Sequence, residues 1–300
     1  MLVVRGMILA HTVPISILGV EAAVNQDIKA LLPKIEVDTS YLAAMLRAQH
    51  ADLLSRVSTA AHGTKRLETR VLAETSVPLP PLQEQRRIAA ILDGTDAIRT
   101  KRRQALARLE ALIESVFYSQ FGDPELNPRR LNRVEMLNAV EDTSRFATKI
   151  PQSEFNAQGR IPIIDQGIKP VAGYTDEAQS AYPRDLPVIL FGDHTRVFKY
   201  VDEPFVIGAD GVKVLTPASG FEPLYLFHAL RVLKLPAAGY SRHFKFLKER
   251  RVLMPPVDEQ REFCASVEAI NLQAAVVERA LAADDELFAS LQSQAFRGEL

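Results

Sequence analysis

The chain has a single cysteine, Cys264. A lone thiol excludes an internal disulfide framework and any cysteine-based metal cluster, and it suits a reducing compartment, so a cytoplasmic protein is expected. No run approaches the roughly 20 apolar residues of a membrane span. Met1 to Val20 has some marks of a signal peptide, with Arg5 before an apolar stretch and small residues near Ala22-Ala23. His11, Pro14 and Ser16 interrupt it, and the internal repeat described below places it better inside a folded module. Neither sign of charge dominates: 36 Lys and Arg stand against 37 Asp and Glu, for a net charge of −1. That balance by itself argues against nucleic acid. Catalytic signatures are missing as well. There is no phosphate-binding Gly-x-x-x-x-Gly-Lys loop, no nuclease cluster of acids followed by lysine, and no Asn-Pro-Pro-aromatic motif or cofactor glycine loop of a DNA methyltransferase; Asn127-Pro128-Arg129 is not one. At 300 residues, 47% apolar and 24% charged, the chain reads as an ordinary soluble protein of about two domains.

What is present is a duplication. Pro80-Pro81-Leu82-Gln83-Glu84-Gln85-Arg86 opens one helical pattern, and Pro255-Pro256-Val257-Asp258-Glu259-Gln260-Arg261 opens another 175 positions later. The offset holds to the far ends, where Ser115 meets Ser290 and Phe121 meets Phe296. A period this long is no solenoid repeat; it means two copies of one module. Ile88, Ile91, Thr95, Ile98, Arg102, Ala105, Leu109, Leu112 and Val116 step by threes and fours, as do Phe263, Val267, Ile270, Ala274, Val277, Leu281, Asp284, Phe288, Leu291 and Ala295. This is the spacing of a coiled-coil seam sustained for roughly 60 Å. The first helix is basic, with Arg86, Arg87, Arg99, Lys101, Arg102, Arg103 and Arg108 against five acids. Its duplicate is acidic, with eight acids against two bases, so the two are expected to pair with each other. Leu92, Leu106, Ile113 and Phe117 widen the first helix's apolar face, which suggests further helices packing on the pair. The Glu-Gln pairs sit in first helical turns, where capping is a better account than catalysis.

Upstream of each helix the copies echo more faintly. Leu2-Val3-Val4-Arg5-Gly6 aligns with Val188-Ile189-Leu190-Phe191-Gly192, and Tyr41-Leu42 with Tyr225-Leu226. The apolar runs read as short strands, and 41–56 and 223–234 read as helices. The second copy has about 55 residues ahead of the aligned point and the first has none, so the chain is expected to begin in the middle of its first module.

The order half-module, Pro-Leu-Pro-Pro-Leu-x-Glu-Gln helix, full module, Pro-Pro-x-x-Glu-Gln helix resembles the specificity subunit of type I restriction–modification enzymes. Phe191-Gly192-Asp193-His194-Thr195 and Gly239-Tyr240-Ser241-Arg242-His243-Phe244-Lys245 look like a recurring subtype of its recognition domain. The resemblance implies an α+β fold in which α/β target-recognition domains alternate with two long helices paired as an antiparallel coiled coil. The expected segments are a partial first recognition domain over 1–79, a spacer helix over 80–122, a second recognition domain over 123–254 and a second spacer helix over 255–300. It also implies a non-catalytic reader of a bipartite double-stranded DNA site. Modification (methyltransferase) subunits and restriction (endonuclease/translocase) subunits would be its partners, with no cofactor and no membrane. The alternative is a remnant or regulatory fragment that binds those subunits through its helices without reading DNA.

A DNA-reading surface needs bases for phosphates and bifurcated hydrogen-bonding side chains for base edges. Residues 239–251 concentrate Arg242, His243, Lys245, Lys248, Arg250 and Arg251 beside Tyr240 and Ser241. A second polar cluster, His194, Thr195, Arg196 and Lys199, follows the Gly192-Asp193 turn. The expected DNA contacts are therefore His194, Thr195, Arg196, Lys199, Tyr240, Ser241, Arg242, His243 and Lys245. A solvated loop with a few helix-end bases is the plainer reading of such a charge run. Asp193 and His194 could be half of a metal site, but no third ligand stands at suitable spacing, so no metal is expected.

Overall fold

The protein is described by a computed structural model covering residues 1–4, 9, 11–59, 65–208, 211–236 and 241–300. It forms two compact units, Met1–Leu106 with Ala275–Leu300, and Ala107–Ala274, so that both long helices contribute to each.

In the second unit the strand Val188–Gly192 is apolar and buried at every position. It lies inside an antiparallel sheet, between Phe198–Val201 and Val212–Pro217, with Val140–Asp142 at the edge. Successive side chains of a strand point to opposite faces. Ile189 and Phe191 accordingly join the cluster built on Phe117, Phe121, Tyr225 and Phe263, while Val188 and Leu190 join Tyr182, Phe205 and Ile207. The second face is covered by a mixed sheet in the order Gly173–Thr175, Ile161–Ile164, Val206–Gly208, Lys149–Ile150. A strand covered on both faces reads as an unbroken apolar run rather than an alternation.

In the first unit Leu2–Val4 is likewise the central strand, flanked antiparallel by Ile15–Ser16 and Ile28–Ala30. The sheet order therefore repeats between the copies, with the aligned strand in the middle of each. Arg5 and Gly6 of the aligned stretch lie outside the described residues. The helix Thr39–Ala48 follows, its N-cap Asp38 accepting from the Tyr41 N–H. One side of it, Ala43 and Leu46, packs on Val3, Ile15 and Leu53. The other, Tyr41 and Ala44, packs on Ile88, Leu92 and Ala295 of the long helices.

Those helices span Leu82–Phe121 and Val257–Arg297. Each starts just after a Pro-Pro pair, where a fixed φ and a missing N–H cost little. Gly122, at φ 78°, ends the first, and a Cβ there would come within 2.5 Å of Pro128 Cγ. The pairing is antiparallel, as expected. Within the first unit Ile88 packs with Ala295 and Arg99 meets Asp285. Within the second, Phe117 and Phe121 both stand 5.6 Å, centroid to centroid, from Phe263.

Several expectations are corrected. The helix read over 41–56 is two helices, Thr39–Ala48 and His50–Ser55, parted at Gln49, and the His50 ring just after the break accepts from the Val13 N–H at 3.2 Å. The helix read over 223–234 stops at Arg231. Ile98 and Leu112, assigned to the seam, are 49% and 45% exposed. The surplus apolar face does meet further helices, but they belong to the chain's own modules: Thr39–Ala48 packs on Leu92, and Pro223–Arg231 on Ile113 and Phe117. Capping also fails to describe Gln85 and Gln260, which are buried and bond outside their own helices. Among the described residues, no helix is long and apolar enough to cross a membrane.

Candidate nucleic-acid interface

Both clusters singled out in the sequence belong to the second unit, and one side chain joins them. The central strand ends at Gly192, where a Cβ would stand 2.1 Å from Thr195 Oγ1, so the tight turn requires glycine. The next residue, Asp193, is 6% exposed. Its N–H donates to the Gly211 carbonyl, its carbonyl accepts from the His243 N–H, and its Oδ1 accepts from the Phe244 N–H, all at 2.7 Å. A buried carboxylate needs such a partner, and this one meets the Phe244 N–H at the start of the short helix Phe244–Lys248. Three chain segments far apart in sequence are thereby held together.

The turn itself leans on a third loop. The His194 N–H donates to Gln166 Oε1 at 3.1 Å, and Thr195 Oγ1 donates to the Gln166 carbonyl. Lys199 Nζ donates to the carbonyls of Asp165 at 2.8 Å and Lys169 at 2.6 Å. Burial holds the Lys199 ammonium below the usual lysine range, against the opposing pull of Asp165. Thr195 and Lys199 thus bind protein groups in this structure. Arg196 is exposed and has φ 62°, a left-handed conformation that side chains disfavour.

On the second cluster, Arg242 and Lys245 are exposed, and Lys245 Nζ stands 4.7 Å from the Phe246 ring centroid. His243 is 2% exposed, so its ring lies in the protein rather than on a surface. Ser241 Oγ and His243 Nδ1 are buried without a hydrogen-bond partner among the described residues. Tyr240 lies outside the described residues.

Between the two clusters is a cleft of about 390 Å³, lined by Arg145, Lys149, His194, Lys213 and Arg242, with Asp193 among its walls. Arg145, Lys149 and Lys213 were not evident from sequence, because they come from separate elements with no local charge run. Lys213 pairs with Asp142 at 3.0 Å. Burial pushes the Asp142 carboxyl upward, but its bonds to Ser144 and Lys213 outweigh that and hold it below the usual carboxylate range. A cleft with several cations and bifurcated donors suits phosphates and base edges. Among the described residues no cluster of three His, Cys, Asp or Glu could hold a metal ion.

Residues 3–111 match the family model described as the type I restriction modification DNA specificity domain. The likeness is to a type I specificity subunit. A curated relative, the specificity subunit of the type I restriction enzyme EcoR124I/EcoR124II from Escherichia coli, is 29% identical over 107 residues, or 36% of this chain. The match spans about a quarter of that specificity subunit, 26% of its length. Among solved structures, the type I restriction–modification S subunit from M. genitalium superposes with a TM-score of 0.58 at 15% identity, covering 90% of this chain and 76% of that one. A structure described for complex assembly and conformational transition of the type I R-M system gives 0.53 at 20% identity, covering 88% and 72%. These two likenesses are of fold: α/β modules alternating with long helices, as in a specificity subunit. The family match ends before the cleft, which lies in the second copy of the module.

Proposed function

We propose that the chain is a sequence-specific DNA-binding specificity subunit of a type I restriction–modification complex. It reads a bipartite site and directs methylation or cleavage by partner subunits. The reading is supported by one observation: the stretch that matches a DNA specificity domain, with a central antiparallel strand and a helix ahead of a long helix, has a counterpart of the same order in the second unit. Two related readers in one chain suit a target with two parts. Residues 1–79 and 123–254 are assigned as the readers, and 80–122 and 255–300 as the spacers. The chain itself performs no chemistry; modification subunits supply the methyltransferase and restriction subunits the endonuclease and translocase, in the cytoplasm.

Within the second reader the cleft and its rim form the DNA-facing surface. Arg242, Lys245, His194 and Arg196 carry over from the sequence, and Arg145, Lys149 and Lys213 join them. Thr195, Lys199 and His243 serve by holding the surface in shape, with Ser241 beside it, and Tyr240 is kept as a DNA contact on its sequence alone.

The test is methylation of a randomised DNA library by the chain assembled with a modification subunit. Enrichment of one two-part sequence is expected. Assembly without any sequence preference would instead favour the fragment that binds partners through its helices.

A further inference from the structure

Each unit ties its α/β module to a long helix with three equivalent hydrogen bonds, centred on a buried glutamine. In the first unit Gln85, 3% exposed, accepts at Oε1 from the Asp38 N–H at 2.9 Å and donates from Nε2 to the Pro80 carbonyl at 2.8 Å. Asp38 is the N-cap of Thr39–Ala48, and Tyr41 of that helix donates its hydroxyl to the Pro78 carbonyl at 2.9 Å. In the second unit Gln260, 0% exposed, accepts from the Glu222 N–H at 2.8 Å and donates to the carbonyls of Pro255 at 2.9 Å and Gly220 at 3.0 Å. Glu222 is the N-cap of Pro223–Arg231, and Tyr225 of that helix donates to the Leu253 carbonyl at 2.9 Å. The two glutamines stand at equivalent positions of the duplication, and so do the two carbonyls that receive the tyrosines.

Apolar packing around these joints, Tyr41 on Ile88 in one and Tyr225 on Phe263 in the other, is non-directional and would permit a module to roll on its helix. Hydrogen bonds to fixed backbone atoms would not. A glutamine amide offers both an acceptor and donors; a carboxylate only accepts and a thioether does neither well. Glutamine is therefore the side chain of this length that can meet an N–H and a C=O together while buried.

We infer that Gln85 and Gln260 are matched positioning residues that fix the orientation of each module on its long helix. Through that orientation they set the spacing of the two-part DNA site the chain accepts. The second step rests on the DNA-reading function proposed above; the first does not.

Gln85→Met and Gln260→Met keep the volume and remove the bonds. The chain is assembled with a modification subunit and offered DNA whose two parts are constant and whose separation varies by single base pairs. The parent is expected to favour one separation. Each variant should flatten that preference by about fivefold, the worth of roughly one net hydrogen bond, with base preference inside each part retained. Equal weakening at every separation would mean a merely structural role and would overturn the inference. Spin labels at Ser219→Cys and Glu268→Cys, in a Cys264→Ser background, report the second joint without DNA. Gln260→Met should broaden their distance distribution, and Gln85→Met should leave it unchanged. An unaltered distribution in Gln260→Met overturns the positioning role. If Gln260→Met does not fold, Gln260→Glu, which keeps the acceptor and loses the donor, carries the same expectation. A parent with no preferred separation would defeat the DNA-reading function, and the label distances would then decide the orientation by themselves.

Discussion

Arg102 on the first long helix donates from Nε to Asp284 Oδ2 on the second, at two positions where the seam spacing calls for apolar residues. Beside this pair Arg99 reaches Asp285 and lays its guanidinium 4.2 Å over the Phe288 ring, while Arg103 meets Asp285 at 3.0 Å. A polar pair inside a seam opposes slippage, because any other register strands both charges against apolar neighbours.

Reversing one partner should therefore matter more than removing it. The two side chains are 36% and 19% exposed, so water screens part of their attraction. Arg102→Asp is expected to lower stability by about 1 kcal/mol, and adding Asp284→Arg should recover most of it. Denaturant midpoints of the two single variants and the double variant measure this directly. Additive losses in the double variant would show that the charges do not interact.

The cleft gives a prediction about salt. Arg145→Ala and Lys245→Ala should weaken binding to all DNA sequences alike and lower the salt slope by about one each, if each meets a phosphate. Arg242→Ala should cost about 1–3 kcal/mol at one base position and relax preference there. Methylation rates over a salt series, with matched and mismatched sites, separate the two behaviours. His243→Ala should act differently from all three, by loosening the loop rather than by removing a contact.

Asp193 is expected to be the most sensitive residue of the cleft. Asp193→Ala leaves the Phe244 N–H without its acceptor, at a cost of about 1–3 kcal/mol. Hydrogen exchange at Phe244 should quicken in this variant while exchange in Val188–Gly192 holds. Uniform acceleration across the unit would point to global unfolding instead.

A buried imidazole predicts acid sensitivity. Burial, helped by the neighbouring Arg231, lowers the His228 pKa to about 4. The unfolded chain would bind a proton there near the ordinary value of about 6.5, so the unfolded state holds more protons between the two values. Stability contributed by neutral His228 is full above that upper value and is lost as pH falls toward the lower one, about 3 kcal/mol in total. His228→Leu should flatten the fall between pH 6.5 and 4 in thermal or denaturant unfolding. An equally steep fall in the variant would assign it to other groups.

Periodic features were legible in the sequence because they are local. The heptad steps and opposite charge of the long helices marked a helical pair, and the run Val188–Gly192 marked a strand. Features that depend on distant partners were not. The break at Gln49 sits beside a bond between His50 and Val13, a long-range contact that no helical period records. Gln85 and Gln260 look like exposed first-turn residues until the module folds over them. The cleft gathers Arg145 and Lys149, Lys213, and Arg242 from three stretches of chain, so only the run around Arg242 stood out as charge.

The duplicated glutamine joint touches its modules through main-chain atoms: the N–H groups of residues 38 and 222 and the carbonyl of residue 220. A socket that grips only the backbone is indifferent to most side chains plugged into it. Asp38 and Glu222 differ, as do Pro78 and Leu253, yet the bonds are alike. Loops that read DNA can therefore diversify, or be traded whole between chains, while the fitting that holds them stays the same.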